Sequence, residues 1–414
     1  MKALQYTGSL PGYAATMALG RISRAACWGP LSCLKLRDVP EPSIPGPDWA
    51  VVKTRLAGIC GSDLHLVMQE TSPAASAFTS FPFTIGHENV GVLVEAGEGV
   101  GPDLTPGRRV VVDPLLPCTT RGIDPPCPSC RAGNYAVCEN TTCGTLAPGM
   151  LIGSCRDTGG TWSPLFLAHK TQLFTVPDSV SDAAAVLTEP LAVALHAVMT
   201  SAPGGVPGEV PPEGATLVIG GGVIGLGVLA SLRFLGDRSR VIALVRHEHQ
   251  AGLARQFGAD EVVMAGSGWE DTLAGTLGAR LLKPVVGRRV PTTGANRVFE
   301  CAGSRSALDT ALRFAAPGGE VVLVGLAAAP PGIDWSHVWR KELRIQGAFC
   351  YGWEEVVGRR ERTFDTALRM LSSGMFELEK LVTHRFRLED YRKALRILTD
   401  KGSSRAVKAV FVFD

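Results

Sequence analysis

Five of the eleven cysteines, Cys118, Cys127, Cys130, Cys138 and Cys143, fall within 26 residues. In a long chain without a secretory leader pattern, such clustering points to metal binding rather than a disulfide scaffold. A second set of chemically able residues is spread over three segments. GICGSDLH carries Cys60, Ser62, Asp63 and His65, FTIGHENVG carries His87 and Glu88, and VLTEPLAVALHA carries Glu189. A catalytic zinc takes three ligands from Cys, His and carboxylate and keeps a fourth position open. Cys60 and His87 supply sulfur and nitrogen, and a glutamate the third donor. Singly, each is as consistent with a buried cysteine, a core histidine or a strand-edge charge. Taken together they read as one site.

The third feature is LVIGGGVIGLG. Gly220, Gly222 and Gly225 stand as G-x-G-x-x-G, with Gly221, Val223 and Ile224 between them, directly after an apolar strand and opening a helix. Glycines there permit a tight turn and close backbone approach to a pyrophosphate. The helix N-terminus adds free N–H groups and a positive dipole end. A site for NAD usually places Asp or Glu about 20 residues further on. Here Val245 is followed by Arg246 and His247, and an arginine pairs with a 2′-phosphate rather than a 2′-hydroxyl. NADP is therefore expected ahead of NAD, unless Arg246 is simply solvated. Cys301 and Ala302 in FECAG, and Gly325 in LVGL, are expected at strand ends beside the same cofactor.

These residues need two kinds of scaffold. WAVVKTRLAGIC, NVGVLVEAG and RRVVVDPLL read as short strands bounded by Gly and Pro, so the first third is β-rich. SAPGGVPGEVPPEG, ending at Gly214, reads as a surface loop. Beyond it strand and helix alternate: ATLVIGGG, VIGLGVLASLRFLG, RVIALV, HQAGLARQFG, DEVVM, NRVFECAG, SALDTALRFA and GGEVVLVGL. That alternation predicts a doubly wound α/β parallel sheet, a Rossmann domain. After about Arg344 a helix (TFDTALRMLSSG) and a final strand (AVKAVFVF) remain. The expected division is 1–190, 191–345 and 346–414, with the last part returning to the first domain.

In this order the motifs resemble the zinc-containing medium-chain dehydrogenases/reductases, nearer the threonine, glucose and polyol dehydrogenase branch than the liver-type enzymes. The resemblance spans nearly the whole chain. It implies a GroES-like catalytic domain followed by the Rossmann domain, and makes Cys60 and His87 zinc ligands. Glu189 takes the third-ligand position, with Glu88 as alternative ligand or exchange partner. Asp63 orients a ligand imidazole, and Ser62 and His65 match a proton relay. Zinc in such a site acts as a Lewis acid toward an alcohol oxygen, and NADP or NAD takes the hydride.

The resemblance also implies a structural zinc in a lobe spaced C-x2-C-x2-C-x7-C. Cys127, Cys130 and Cys138 match its last three positions, and Asp124 stands where the first belongs. Cys118, nine residues before Cys127, completes four thiolates if TTRGID is an insertion. Cys118 is preferred because four sulfurs make the softer zinc site; Asp124 and a metal-free lobe stay open. Cys143 and Cys155 read as ordinary thiols.

His169, His249, His337 and His384 read as surface or packing residues, His196 as helix packing, and Trp162 as lining the substrate side. Forty-one basic residues against 39 acidic give a net charge of +2, which offers no reason for a nucleic-acid or anionic-membrane partner. The N-terminal MKALQYTGSLPGYAATMALGRISR has a faint transit-peptide character but no secretory core, so a cytoplasmic protein is expected. The partners expected are a small alcohol or carbonyl substrate and further copies of the chain, as homodimer or homotetramer paired through the cofactor-domain sheet. Two other functions compete: a C=C or C=N reductase in which zinc is no Lewis acid, and a non-catalytic nucleotide-binding protein. The intact Ser62/His65 pair argues against the first, and the intact ligand set against the second.

Overall fold

The computed structural model describes residues 1–201, 214–356 and 358–414. Most of the proline- and glycine-rich run read as a loop lies outside the described residues. Two compact units are present, one of Met1–Glu189 with Tyr351–Asp414 and one of Pro190–Cys350.

The first unit is built on the long strand Trp49–Gly58, whose apolar residues are buried along most of its length. It pairs antiparallel with Asn89–Ala96, with Leu165–His169 and with the C-terminal strand Lys408–Val412. Val382–Arg387, Arg109–Val112 and Leu173–Thr175 complete a seven-stranded sheet. Val410 pairs with Gly58, so the end of the chain lies in register with the strand that leads into Cys60. That pairing brings Lys408 to the site.

Lys2–Tyr6 and Leu34–Asp38 form an antiparallel pair in which Tyr6 faces Leu34. Between them the chain forms the helix Leu10–Gly20 and the short helix Arg24–Trp28. Ser9 caps the first by accepting from Gly12 N–H at 3.3 Å. Cys27, Trp28 and Cys33 enter the unit's core beside Leu4, Ile59 and Phe411. Its apolar residues, scattered without period, gave no clear sign of this.

The second unit holds six parallel strands in the order 261–264, 240–245, 215–219, 295–300, 315–323 and 344–347. The central strand Ala215–Ile219 is buried throughout, as expected of a strand covered on both faces. Its neighbours on the two sides are 240–245, the next strand in sequence, and 295–300, reached after the chain has passed through 261–264 on the first side. The C-terminal ends of those strands are thus a topological switch point, the usual ligand position in such sheets. Among the described residues no helix is long and apolar enough to cross a membrane.

Candidate functional site

Cys60 precedes the helix Gly61–Val67 and has extended backbone angles. Three residues on, Asp63 turns back and accepts from the Cys60 N–H at 2.9 Å, satisfying a donor that the helix cannot. The other Asp63 oxygen lies 3.4 Å from His87 Nδ1. His87 itself follows Gly86, whose φ of +100° and absent side chain admit Trp162. A Cβ at Gly86 would come within 2.3 Å of that indole.

Ligand atoms of Cys60, His87 and Glu88 all lie within 4.8 Å of one another. Glu88 is fully buried, and Gly58 makes room for it, since a Cβ there would meet Glu88 Oε2 at 1.8 Å. Both Glu88 oxygens accept from Lys408 Nζ, at 2.6 and 2.7 Å. Lys408 also donates to the Ile59 carbonyl at 3.2 Å. Glu189 stands outside the 4.8 Å group. It is buried, and Tyr351 donates to its Oε1 at 3.2 Å.

The charges of these residues act on one another. Burial opposes a positive His87, but Asp63 and then Cys60 outweigh it and hold the imidazole well above its ordinary value. Burial pushes Glu189 up to about 7 against the pull of His87. Burial likewise opposes the Lys408 charge, and Glu88 more than restores it. A soft sulfur, an imidazole and the Glu88 carboxylate within 4.8 Å, with Glu189 buried outside that group, form a donor set that suits zinc. The residues fit the metal.

Ser62 and His65 are half-buried on the same helix. His65 Nδ1 lies 2.9 Å from Glu70 Oε2. Trp162 does not line a substrate face. It is completely buried, donates from Nε1 to the Gly58 carbonyl at 3.0 Å and packs edge-on against Phe411. An indole with a satisfied N–H belongs to the core, and here it supports the backbone on which the site rests.

The sulfurs of Cys118, Cys127, Cys130 and Cys138 form a second group within 4.8 Å, all four residues buried. Backbone N–H groups of Cys127, Cys130 and Asn140 point at the sulfurs of Cys118, Cys127 and Cys138, each at 3.4 Å. The Asn140 side chain adds a donor to Cys118 at 3.3 Å. Such donors stabilise thiolates, which is the state zinc binds. Asp124 is exposed and outside this group. The TTRGID segment is ordered by its arginine: Arg121 is fully buried and donates to the carbonyls of Leu116, Cys143, Leu146, Ala147 and Gly149. Cys143 is exposed and Cys155 buried, both as free thiols.

In the second unit Gly220, at φ +115°, turns the chain after Ile219, and Gly222 precedes the helix Val223–Phe234. A Cβ on Gly225 would meet the Gly220 carbonyl at 1.9 Å, while one on Gly222 would meet nothing. Close packing is thus required at one position and open space is kept at another, as the phosphate-loop reading expects. Gly221 packs on Gln250, whose Oε1 accepts from the N–H groups of Arg246 and His247 at 3.2 Å. Arg246 is exposed beside the half-buried His247, at the end of the strand Arg240–Val245. Cys301, Ala302 and Gly325 lie at the ends of neighbouring strands.

Sequence reasoning missed Lys408, Tyr351 and Asn140. A lysine inside the apolar run AVKAVFVF was a readable sign of a buried partner; Tyr351 and Asn140 carried none.

Comparison with known proteins agrees with this layout. Residues 46–178 match the family model "Alcohol dehydrogenase GroES-like domain", and residues 223–373 match "Zinc-binding dehydrogenase". A sorbitol dehydrogenase of Arabidopsis thaliana is 29% identical over 384 residues, covering 92% of this chain and 93% of the relative. An L-threonine 3-dehydrogenase of Legionella pneumophila is 28% identical, covering 90% and 95%. A Sinorhizobium meliloti 1021 structure assigned as a zinc-binding dehydrogenase, bound to NADP, aligns with a TM-score of 0.71 at 26% identity, covering 100% and 99%. The chain belongs to the zinc-containing medium-chain dehydrogenase/reductase superfamily, and is a zinc-dependent enzyme that moves hydride between an alcohol or its carbonyl counterpart and NAD(P).

Proposed function

We propose that the enzyme oxidises a polyol or another polar secondary alcohol, with NADP preferred, using Cys60, His87 and Glu189 to hold the catalytic zinc. The carrying observation is that Cys60, His87 and Glu88 converge within 4.8 Å, with Glu189 buried outside that group and under the pull of the His87 charge. Lys408 engages both oxygens of Glu88, which favours Glu189 as the third ligand and leaves Glu88 as its alternative. Bound there, zinc supplies Lewis acidity toward an alcohol oxygen, and a bound nicotinamide supplies the hydride acceptor.

The chain's own residues do the rest. Asp63 Oδ1 lies 3.4 Å from His87 Nδ1, which leaves Nε2 as the nitrogen that would hold the metal. Glu70 accepts from His65 Nδ1, so that Nε2 is left to pass the alcohol's proton from the Ser62 side to solvent. Cys118, Cys127, Cys130 and Cys138 hold the second, structural zinc. Gly220, Gly221, Gly222, Val223, Ile224 and Gly225 cradle the pyrophosphate, Arg246 and His247 take the 2′-phosphate, and Cys301, Ala302 and Gly325 border the nicotinamide.

The polyol assignment is supported by relatives named sorbitol dehydrogenase, L-idonate 5-dehydrogenase and D-xylulose reductase. The strand Arg344–Gly347 ends the six-stranded sheet and pairs on one side only among the described residues. That open edge supports a homodimer, or a tetramer built from it, paired through the cofactor-domain sheet. Eleven cysteines with no disulfide among them, five of them assigned to zinc, support a reducing, cytoplasmic setting.

The test is metal analysis of the purified protein, with a panel of polyols and simple alcohols assayed separately with NADP and NAD. Two zincs per chain, with polyol oxidation that is faster on NADP, are expected. Oxidation that survives complete zinc removal would overturn the metal assignment, and activity confined to simple primary alcohols the substrate class.

A further inference from the structure

Glu300 ends the strand Ala295–Glu300 at the switch point of the second unit's sheet. It is 1% exposed, and a buried carboxyl has to be justified by what it holds. Its Oε1 accepts from the N–H groups of Ala302 and Gly303 at 2.9 and 2.8 Å. Its backbone carbonyl accepts from Val324 and Gly325 at 2.9 and 2.8 Å. One residue therefore ties down the loop after its own strand and the loop after the neighbouring strand.

The two loops interlock above it. A Cβ on Gly303, at φ +67°, would meet the Gly325 carbonyl at 1.9 Å, and one on Gly325 would meet Gly303 N at 2.2 Å and Glu300 Oε2 at 2.7 Å. Cys301 N–H donates to the Ile219 carbonyl at 2.9 Å, so the first of these loops also abuts the glycine turn. Glu300 Oε2 itself has no hydrogen-bond partner among the described residues. Burial raises the Glu300 carboxyl above its ordinary value, against the pull of the Ala302 and Gly303 N–H groups.

In a sheet of this order the pyrophosphate lies at the first strand-to-helix turn and the adenosine ribose at the end of the second strand. Those are the Gly220 turn and the Arg246 end. The remaining half of a dinucleotide then falls toward the ends of strands 295–300 and 315–323. We propose that Glu300 is the positioning residue for that half, setting the Ala302–Gly303 and Val324–Gly325 backbones against the nicotinamide ribose and carboxamide. The proposal rests on the reading that the chain binds NAD(P).

The test compares wild type with Glu300→Met, which fills the space but accepts nothing, and Glu300→Gln, which keeps a carbonyl oxygen for the two N–H groups. Binding is followed without turnover, by nicotinamide fluorescence for NADPH and by calorimetry for the fragment 2′,5′-ADP. Glu300→Met should weaken NADPH about 10-fold or more, equivalent to one lost interaction of ordinary strength, yet leave 2′,5′-ADP within about twofold. Glu300→Gln should restore NADPH binding to near wild type. Equal loss of both ligands in Glu300→Met would show a merely structural role and overturn the proposal, as would no loss of either. Should Glu300→Met not fold, Gly303→Ala reads the same clamp and should show the same fragment-selective loss; equal loss or none overturns it again. A wild type that binds neither NADPH, NADH nor the fragment would instead sink the cofactor reading itself.

Discussion

Asp63 lies 3.4 Å from His87 Nδ1 with one carboxylate oxygen while the other accepts from the Cys60 N–H at 2.9 Å. A single side chain thus touches two donors that flank the same end of the antiparallel pair Trp49–Gly58 and Asn89–Ala96, where Ala57 faces Asn89. A ligand imidazole is fixed in tautomer and direction by the partner of its second nitrogen, and loss of that partner commonly costs about 10- to 100-fold in metal affinity. Asp63→Asn keeps an acceptor for Cys60 but loses the charge facing His87. It should lower affinity at the catalytic zinc by about that factor and leave the four-cysteine zinc in place. Chelator competition with a count of zinc per chain checks it; equal loss from both sites would mean a general loss of folding.

Lys408 and Glu88 are 1% and 0% exposed at the side chain. Removing one member of such a pair strands a buried charge, at a cost of about 3–5 kcal/mol. Lys408→Met should therefore destabilise the protein by about that much in urea unfolding. The double variant Lys408→Met, Glu88→Gln should recover most of it, since a neutral amide no longer needs the ammonium. Additive losses in the double variant would show that the two side chains are energetically independent.

Cys118 is in the sulfur group and Asp124 is exposed outside it. Cys118→Ser should reduce zinc from two to one per chain and lower thermal stability, because a structural zinc contributes directly to folding. Asp124→Asn should leave zinc content unchanged. The reverse outcome would transfer the fourth ligand to Asp124.

Arg246 is exposed at the strand end where an acidic residue would serve NAD. Arg246→Ala should raise KM for NADP about 10-fold or more, as expected for a charge-assisted bond worth about 1.5–3 kcal/mol. KM for NAD should move little. A parallel rise for both cofactors would place Arg246 outside 2′-phosphate recognition.

What could be read from the residues divides along physical lines. Strand Arg240–Val245 and helix Val223–Phe234 were legible because local apolar period and glycine punctuation encode them. The grouping of Cys60 with His87, and of the four lobe cysteines with one another, was legible because metal chemistry restricts donor type and spacing. Lys408 pairs with a residue 320 positions away, and Tyr351 with one 162 positions away; no local pattern carries such distances. Trp162 was misread because an indole beside site residues looks the same in sequence whether it lines a cavity or supports its floor. The helix Leu10–Gly20 went unread because its apolar residues follow no clear face.

The buried carboxyl of Glu300 also gives the second unit a pH dependence of defined sign. Burial raises its folded-state value above the ordinary 4.5, against the pull of the Ala302 and Gly303 N–H groups. The folded state therefore holds the proton more tightly than the unfolded chain. The stability this confers is fully present below about 4.5 and is lost as pH rises through the raised folded value. Above that value the loss is complete and constant. Glu300→Gln cannot titrate, so its stability relative to wild type should climb across this window and be flat on either side. Urea unfolding of both proteins at several pH values between about 4 and 8, with the difference taken at each, cancels every other titrating group. A difference independent of pH would mean that Glu300 ionises in the fold as it does in water, and that its free oxygen has a partner when the protein is in solution.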